Sequence, residues 1–300
     1  MREGIVVKAS GGFYTVHTPD GAWVCRLPGR LKRERSDTDL VAVGDRVRVD
    51  TQRRSPRIVE ILPRRSKLSR RAPDPHRARA GSDREQIIVA NPDQAVFVFA
   101  CHNPDPHLRM LDRYLVSAEV ENLPALVIAN KIDLASLEEA REKFGVYERL
   151  GYTVHYTCAL SGAGVEPLRD CLRERVSVLS GPSGVGKSSL LNALQGGLGL
   201  AARAISAATG KGRHTTVTIQ LLPFEGGYIA DTPGVRALGL WDVAPEQIAW
   251  GFREFRPWLG KCKFNDCRHV DEPDCAVRAA AERGALTRER YESYLRMLEE

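Results

Sequence analysis

The stretch that most constrains the fold of this chain is Gly181–Ser189, which reads Gly-Pro-Ser-Gly-Val-Gly-Lys-Ser-Ser. It fits the phosphate-loop pattern, in which a glycine and four variable residues precede Gly-Lys-Ser. The pattern needs a buried strand before it and a helix after it, and the runs Val176–Leu179 and Ser189–Leu194 can supply them. The sequence therefore predicts an α/β sheet with a phosphate-binding loop at the end of one strand.

The residue types of this loop suit a bound triphosphate. Its glycines permit a tight turn whose backbone N–H groups point at phosphate oxygens. We expect Lys187 to reach the β- and γ-phosphates, Ser188 to ligate Mg²⁺, and the start of the helix to attract the anion. The predicted nucleotide-binding residues of the loop are Gly181, Pro182, Ser183, Gly184, Val185, Gly186, Lys187, Ser188 and Ser189.

A second nucleotide motif, Asn130-Lys131-Ile132-Asp133, follows the apolar run Ala125–Ala129. Such a run is typical of a parallel strand covered on both faces, and open α/β sheets bind ligands at the carboxyl ends of their strands. The Asp133 carboxylate can accept hydrogen bonds from N1–H and the exocyclic amine of guanine, and adenine has neither donor in those places. We expect Lys131 to lie over the base and Asn130 to bind the phosphate loop.

Two further segments are predicted to complete the nucleotide site. The loop 159–164 supplies Ala159 and Ser161 as predicted nucleotide contacts. The segment 209–216 is rich in glycine and basic residues, and either Thr215 or Thr216 is expected to complete the Mg²⁺ shell; the sequence leaves both open.

The segment Asp231-Thr-Pro-Gly234 follows a predicted strand hairpin. We expect Asp231 to hold Mg²⁺ through water and the Gly234 N–H to sense the γ-phosphate. The predicted magnesium residues are therefore Ser188, Thr215, Thr216 and Asp231.

The order of these motifs is unusual. In ordinary GTPases the phosphate loop comes first, whereas here Asn130–Asp133 precedes Gly181–Ser189. The order predicts a circularly permuted domain, which is tolerated because the termini of a domain often lie close together. Permutation also joins the γ-phosphate-sensing segment directly to the C-terminal region, so we infer that nucleotide state is transmitted there.

Length and composition indicate several domains in one soluble protein. The 300 residues suffice for two or three domains, and 27% charged with 43% hydrophobic residues is typical of globular proteins. The run Ala95–Ala100 is too short to span a bilayer, and no signal-like apolar segment follows Met1. We therefore expect a cytoplasmic protein with no membrane partner, and separately we expect it to be a monomer. The net charge of +6 weakly favours a polyanionic partner.

Residues 1–63 are predicted to form a small β-barrel of the oligonucleotide-binding type. Five short strands separated by turn residues fit that fold. The strands are predicted at Gly4–Lys8, Phe13–His17, Ala22–Leu27, Asp45–Val49 and Ile58–Leu62. The barrel carries aromatic and basic residues that can stack on bases and contact phosphates, or can instead fill the barrel and be solvated. They are Phe13, Tyr14, Trp23, Arg30, Lys32, Arg33 and Arg35.

Residues 64–84 hold eight lysines and arginines against two aspartates and almost no apolar residue. We expect a mobile linker or loop that either contacts a phosphate backbone or is a solvated hinge. Residues 85–240 then alternate strands and helices and form the predicted GTPase domain.

Residues 241–300 are predicted to form a helical domain built on a metal. Cys262, Cys267, His269 and Cys275 give three thiolates and one imidazole, which suit one structural Zn²⁺ with no open position. The alternative is reduced core cysteines beside an incidental histidine, and the other four cysteines (Cys25, Cys101, Cys158 and Cys171) are interpreted as small core or loop residues. The last helix, about 287–299, is expected to bury Tyr291, Tyr294, Leu295 and Leu298.

The order of barrel, permuted GTPase and zinc domain resembles the ribosome small subunit-dependent GTPase A family over essentially the whole chain. The resemblance rests on Asn130–Asp133, Gly181–Ser189, Gly210–Thr216, Asp231–Gly234 and the Cys262/Cys267/His269/Cys275 set. It implies an enzyme that hydrolyses GTP to GDP and phosphate, binds the small ribosomal subunit and its rRNA, and assists late maturation. It also implies slow hydrolysis alone and stimulation by the subunit.

The position after Gly234, where many GTPases carry a water-orienting glutamine, is Val235. We therefore expect weak intrinsic turnover. His214 is the candidate catalytic residue for positioning the water, and the alternative is that it contacts RNA or solvent.

Other functions stay open on the residues alone. One is an RNA-binding assembly checkpoint module in which the nucleotide only sets conformation. Another is a metal-delivery GTPase, which the four ligands in one compact loop disfavour.

Overall fold

The computed structural model of this chain describes residues 1–29, 40–52, 55–71, 85–196, 219–231 and 243–299. The strands, in chain order, are β1 (Arg2–Ser10), β2 (Phe13–Thr18), β3 (Gly21–Arg26), β4 (Arg46–Asp50), β5 (Arg57–Ile61), β6 (Lys67–Arg71), β7 (Glu85–Ala90), β8 (Gln94–Ala100), β9 (Ala125–Asn130), β10 (Thr153–Thr157), β11 (Val176–Ser180), β12 (Gln220–Phe224) and β13 (Gly227–Asp231). The α-helices are α1 (Leu108–Val120), α2 (Leu137–Arg149), α3 (Val165–Leu172), α4 (Lys187–Leu194), α5 (Pro245–Gly251), α6 (Ala276–Glu282) and α7 (Arg288–Glu299). Short 3₁₀ helices span Ile132–Leu134 and Arg253–Phe255.

The α/β part of the described chain is a sheet with strand order β10-β9-β8-β11-β13-β12, in which only β12 runs antiparallel to its neighbour. The central strand β8 is buried along its whole length. Alternate residues of the sheet face opposite sides, because side chains in a strand alternate. Phe97 and Phe99 pack with α1 and α2, while Val96 and Val98 pack with α3 and α4. The predicted α/β fold with a doubly covered sheet is confirmed.

The first five strands close into the predicted small barrel. β1 pairs with both β2 and β4, and β5 pairs with both β3 and β4, so the ladder returns to its start. Val6, Val16, Val47 and Ile58 fill its interior with no exposed surface. The barrel is attached to the larger sheet where Lys8 of β1 pairs with Gln220.

The expectation of a linker or loop across residues 64–84 is wrong for Lys67–Arg71, which forms β6 antiparallel to β7. Leu68 is buried in the main core, and the Arg64 guanidinium binds the buried Asp45 carboxylate at 2.7 Å. A single leucine among charged residues gives no hydrophobic periodicity, so the sequence pattern did not predict this strand. Backbone pairing with β7 and the burial of Leu68 hold it in place. Residues 72–84 lie outside the described part of the chain.

The C-terminal helices pack on α1. Phe252, Phe255 and Tyr294 form their aromatic centre, and Gly251 lies against Val116 of α1. The predicted buried face of α7 is correct for Tyr294, whereas Tyr291, Leu295 and Leu298 are half-buried at its margin. The buried residues of α7 are Arg290, Ser293, Tyr294 and Met297. No helix in the described ranges is long and apolar enough to cross a membrane.

Candidate functional site

The predicted nucleotide motifs meet at one edge of the sheet. β8, β9, β10, β11 and β13 are mutually parallel, so their carboxyl ends share that edge. The phosphate loop leaves β11, and the Asn130–Asp133 motif begins at the end of β9, two strands away. Asp231 ends β13 in register with Leu179, which lies two residues before the phosphate loop begins. The permuted sequence thus brings the predicted motifs together at the edge where parallel sheets bind their ligands.

The phosphate loop folds around its lysine. Lys187 opens helix α4, and its Nζ donates to the carbonyl oxygens of Gly181 at 2.7 Å and Pro182 at 2.8 Å. The preceding residue, Gly186, has a φ of +95°, which L side chains rarely adopt. The ammonium group is therefore held at the mouth of a backbone loop, where anionic oxygens can exchange for the two carbonyls.

Asn130 joins the two motifs, as the sequence predicted. Its side chain is buried, and its Nδ2 donates to the Val185 carbonyl of the phosphate loop at 2.9 Å. Its Oδ1 accepts from the Thr157 hydroxyl at 3.0 Å. A Cβ on Gly186 would lie 2.5 Å from the Asn130 amide nitrogen, so the close approach of the loops requires glycine there. The relative position of the predicted base-reading motif and the phosphate loop is fixed through this amide.

The predicted base-reading residues, Lys131 and Asp133, follow on a single turn. Lys131 has a φ of +62°, and its Nζ donates to the Asn103 carbonyl. Its Cε lies 3.7 Å from the position that a Gly186 Cβ would take, so the lysine stem runs along the phosphate loop. Asp133 is exposed on the 3₁₀ helix, and its Oδ1 accepts from the Cys158 thiol at 3.1 Å. This carboxylate is available to a ligand from the solvent side.

The loop after β10 is a tight turn beside Asp133. The Cys158 N–H donates to the Ala163 carbonyl and the Gly162 N–H donates to the Cys158 carbonyl, both at 2.9 Å. This turn holds Ala159 half-buried and Ser161 exposed at the same edge of the sheet.

Three parts of this edge were missed in the sequence: Thr157, Cys158 and the segment around Asn103. The first two follow a recognisable strand at the ligand edge, which is the signal that could have found them. Asn103 has no such pattern, because its contact uses a backbone carbonyl.

The predicted magnesium residues are described in part. Ser188 is the second residue of α4, directly after the lysine. The predicted residues His214, Thr215, Thr216 and Gly234 lie outside the described part of the chain, as do the barrel residues Arg30, Lys32, Arg33 and Arg35.

The four predicted metal ligands come together in the C-terminal domain. The ligand atoms of Cys262, Cys267, His269 and Cys275 all lie within 4.8 Å of one another. Cys262 Sγ is 3.4 Å from His269 Nδ1 and 3.9 Å from Cys275 Sγ. A tetrahedral Zn²⁺ with ordinary bond lengths needs ligand separations of about 3.5–3.8 Å. The donor set and the spacing therefore fit that ion.

Neighbouring groups hold this cluster in shape. The Tyr291 hydroxyl donates to the His269 carbonyl at 2.7 Å, and the Tyr294 hydroxyl donates to the Arg268 carbonyl at 2.5 Å. Burial raises the pKa of the Cys267 thiol to about 12, and a bound cation would favour the thiolate form of this residue.

Comparison with known proteins agrees with this geometry. The family model for the RsgA GTPase matches residues 61–241, and the model for the RsgA N-terminal domain matches residues 3–56. A protein of Gemmatimonas aurantiaca named small ribosomal subunit biogenesis GTPase RsgA is 49% identical over 302 residues, covering 99% of this chain and 96% of that protein. A protein of the same name from Chlorobaculum tepidum is 42% identical, covering 99% and 97%.

Solved structures show the same likeness. The crystal structure of YjeQ from Thermotoga maritima matches with a TM-score of 0.76 and 34% identity, covering 99% of this chain and 96% of that one. The structure of YloQ, described as a circularly permuted GTPase, matches with a TM-score of 0.72 and 29% identity, covering 100% and 94%. Two family models, near-complete relatives and a shared permuted fold lead to one conclusion: this chain belongs to the RsgA family of GTPases and is a GTP-hydrolysing enzyme.

Proposed function

We propose that this GTPase binds the small ribosomal subunit and assists its late maturation, with GTP hydrolysis stimulated by that subunit. The observation that carries the proposal is the Asn130 amide, which ties a guanine-reading loop to a phosphate loop in a chain whose relatives are named for small-subunit biogenesis. Family membership favours this enzyme over a checkpoint module in which the nucleotide only sets conformation.

The proposed binding mode divides the nucleotide between two loops. Asp133 accepts from the guanine edge and Lys131 covers the base, while Ala159 and Ser161 lie beside it. The triphosphate lies on Gly181–Ser189, with Lys187 turning from its two loop carbonyls to the phosphate oxygens. Catalysis is then mainly positioning and charge stabilisation, because phosphoryl transfer has a loose transition state.

Magnesium would neutralise phosphate charge at this site. Ser188 and Asp231 are the proposed protein residues for it, with either Thr215 or Thr216, and the Gly234 N–H is proposed to sense the γ-phosphate. The position of β13 beside β11 supports Asp231 in this role, since the strand ends at the phosphate-loop edge.

His214 is proposed to position the attacking water, since Val235 cannot. We expect His214→Ala to retain GTP binding and subunit binding but to lose most of the subunit-stimulated turnover. Stimulation equal to the wild type, with normal binding, would reject this role.

One structural Zn²⁺ is proposed for Cys262, Cys267, His269 and Cys275. The proposed domains are residues 1–63, 85–240 and 241–300, and the zinc site lies in the last of them. The ligand separations support a closed four-ligand site, which argues against delivery of the metal elsewhere.

The barrel is proposed as an rRNA contact of a cytoplasmic, monomeric protein. Phe13 is 44% exposed, and the Arg26 guanidinium lies 4.7 Å above its ring, so an aromatic face and a cation stand together at the surface. Stacking and phosphate contacts on single-stranded nucleic acid use this pairing.

The experiment that tests the function is GTP hydrolysis with and without purified small subunits. We expect slow turnover alone and at least about a tenfold increase with subunits, a difference of about 1.4 kcal/mol in activation free energy. Lys187→Ala is the matched control, which should bind subunits but hydrolyse little. Equal rates in both conditions, or stimulation by large subunits instead, would contradict the proposal.

A further inference from the structure

An exposed tryptophan stands where the C-terminal helices meet helix α1. Trp250 is the next-to-last residue of α5, and 41% of it is exposed. Beside it lies a cavity of about 340 Å³, which is also lined by Val120 and Asn122 at the end of α1 and by Glu246 and Gln247 of α5. Sites for small ligands begin at about 300 Å³ and favour the junctions between domains. The cavity is therefore large enough to hold one planar ring system.

The indole ring of Trp250 is held from one side. The Cζ atom of Arg256 lies 4.0 Å from the centroid of the ring, and the Arg256 Nε donates to the Trp250 carbonyl at 3.0 Å. Arg256 also binds Glu119, which accepts from Arg253 at 2.7 Å. Because Arg256 is not among the residues that line the cavity, the guanidinium covers one face of the ring and leaves the other face to the cavity. A ring fixed in this way loses little conformational freedom when a ligand stacks on it.

We propose that this cavity binds an unpaired nucleobase of rRNA, which stacks on the open face of Trp250. Stacking on an aromatic side chain is available to any base, since every base has a π-face. The inference rests on the proposed binding of the small ribosomal subunit. It adds to that function a base-binding site at the edge of the C-terminal helices, apart from both the barrel and the nucleotide site.

The polar side chains around the ring fit the edge of an unpaired base. The Glu246 carboxylate is an acceptor, and the Asn122 amide can both donate and accept. The Gln247 Oε1 accepts from the Ala244 N–H at 3.1 Å, so the other end of this amide, Nε2, is the end that can donate to a ligand. The Watson–Crick edge of each base carries donors and acceptors, and RNA exposes this edge in its single-stranded loops, bulges and ends.

The surroundings of the cavity favour RNA over a protein partner. Arg253 and Arg256 share the single carboxylate of Glu119, so this cluster keeps an excess of positive charge beside Trp250. The whole chain carries a net charge of +6, which has the same sign. Apart from Trp250, Val120 is the one apolar side chain among the lining residues, whereas the centre of a protein–protein interface is mostly apolar.

Trp250→Ala is expected to weaken binding at least about fivefold, because it removes one base–aromatic stack. The two probes are a short single-stranded RNA of mixed sequence, followed by fluorescence anisotropy, and purified small subunits, followed by co-sedimentation. Both are measured at several salt concentrations. The slope of log affinity against log salt should equal that of the wild type, since the variant loses no phosphate contact.

Matched variants separate stacking from packing. Trp250→Phe keeps an aromatic ring and should bind both probes within about threefold of the wild type, whereas Trp250→Leu keeps apolar volume without a ring and should behave like Trp250→Ala. Val270→Ala removes an aliphatic side chain of the same domain that is also 41% exposed, and it should leave both affinities unchanged. If Trp250→Ala does not fold, the comparison of the phenylalanine and leucine variants decides.

The outcomes distinguish this inference from the proposed function. Wild-type affinity of Trp250→Ala or Trp250→Leu for either probe overturns the inference while leaving the proposed function intact. A loss of affinity for small subunits alone would assign the cavity to a protein of the subunit, and it overturns the inference in the same way. A wild type that does not bind small subunits overturns the proposed function itself.

Discussion

Gly186 is a residue at which the phosphate loop closely approaches Asn130 of the predicted base-reading motif. Its backbone is left-handed, and a Cβ would lie within 2.5 Å of the Asn130 amide nitrogen. The Asn130 side chain, which binds the Val185 carbonyl, therefore occupies the space that a Cβ at position 186 would need. The contact between the two loops therefore requires a residue without a Cβ at position 186.

Gly186→Ala is expected to reduce GTP affinity at least about tenfold, because it combines a strained φ with a clash against Asn130. Gly145→Ala is the control, since a Cβ there meets nothing closer than 3.7 Å and helix α2 should gain about 0.5–1 kcal/mol of stability. Calorimetry gives the affinity and thermal unfolding gives the stability. Normal GTP affinity in Gly186→Ala would contradict the close approach of the two loops.

Asp133→Asn replaces one hydrogen-bond-accepting oxygen of the Asp133 side chain with an amide group that donates. We expect GTP binding to weaken and selectivity to move toward xanthosine triphosphate, whose 2-oxo group can accept from the new amide. The measurement is competition of the two nucleotides for the same protein. A variant that keeps the wild-type preference for guanine would remove Asp133 from the base-reading role.

Helix α7 holds the C-terminal domain on the GTPase domain through a buried ion network. The Arg290 guanidinium binds Asp112 of α1 at 2.5 Å and Glu254 at 2.6 Å, and Asp112 also accepts from Tyr147 and Ser293. Burial opposes the charge of Arg290, yet Asp112 and Glu254 hold its pKa above the usual value. Elements from three parts of the chain meet at this one cation.

Arg290→Ala is expected to cost about 3–5 kcal/mol of unfolding free energy, because it leaves two buried carboxylates without their cation. Arg288→Ala, two residues earlier in α7, is the control. It removes the partner of Glu292 whose side chain is 87% exposed, and it should change the free energy of unfolding by less than about 1 kcal/mol. Urea unfolding of both variants makes the comparison. Equal, small losses would mean that the network does not hold the two domains together.

The sequence predicted most of the elements but not this junction. The spacing of apolar residues predicted α7 and the burial of Tyr294. It could not predict that Arg290 and Ser293 are also buried, because a polar residue is buried only where a partner such as Asp112 binds it, and that partner lies far away in the sequence. Strand β6 was missed for a related reason, because its pairing with β7 is a backbone interaction. The nucleotide edge was predictable because each motif follows a strand whose end is fixed by the topology of a parallel sheet.

In the whole molecule, the barrel is joined to the β12 edge of the sheet, and the C-terminal helices pack on helix α1. The barrel is attached through β1 to β12, and β12 pairs with β13, whose last residue is Asp231. The C-terminal helices pack on α1, which covers the face shared by β8 and β9. The strand that carries Asp231 is thus joined to the barrel by backbone pairing through β12.

Removal of zinc should unfold the C-terminal helices while sparing the nucleotide sheet. We expect a strong chelator to lower the unfolding temperature of the domain that contains Tyr294, because the metal supplies folding energy to a small domain. Near-ultraviolet circular dichroism of the aromatic residues measures this unfolding temperature. Cys267→Ser should reproduce the effect without chelator. Purified protein that contains no zinc and yet shows the full transition would contradict a structural metal.

The central claim is that the permuted sheet binds a guanine nucleotide between Asp133 and the phosphate loop. Isothermal titration calorimetry of the purified protein with Mg²⁺ tests it most directly. The account predicts saturable heat with GTP and GDP and none with ATP at the same concentrations. Saturable heat with ATP but not with GTP would contradict it.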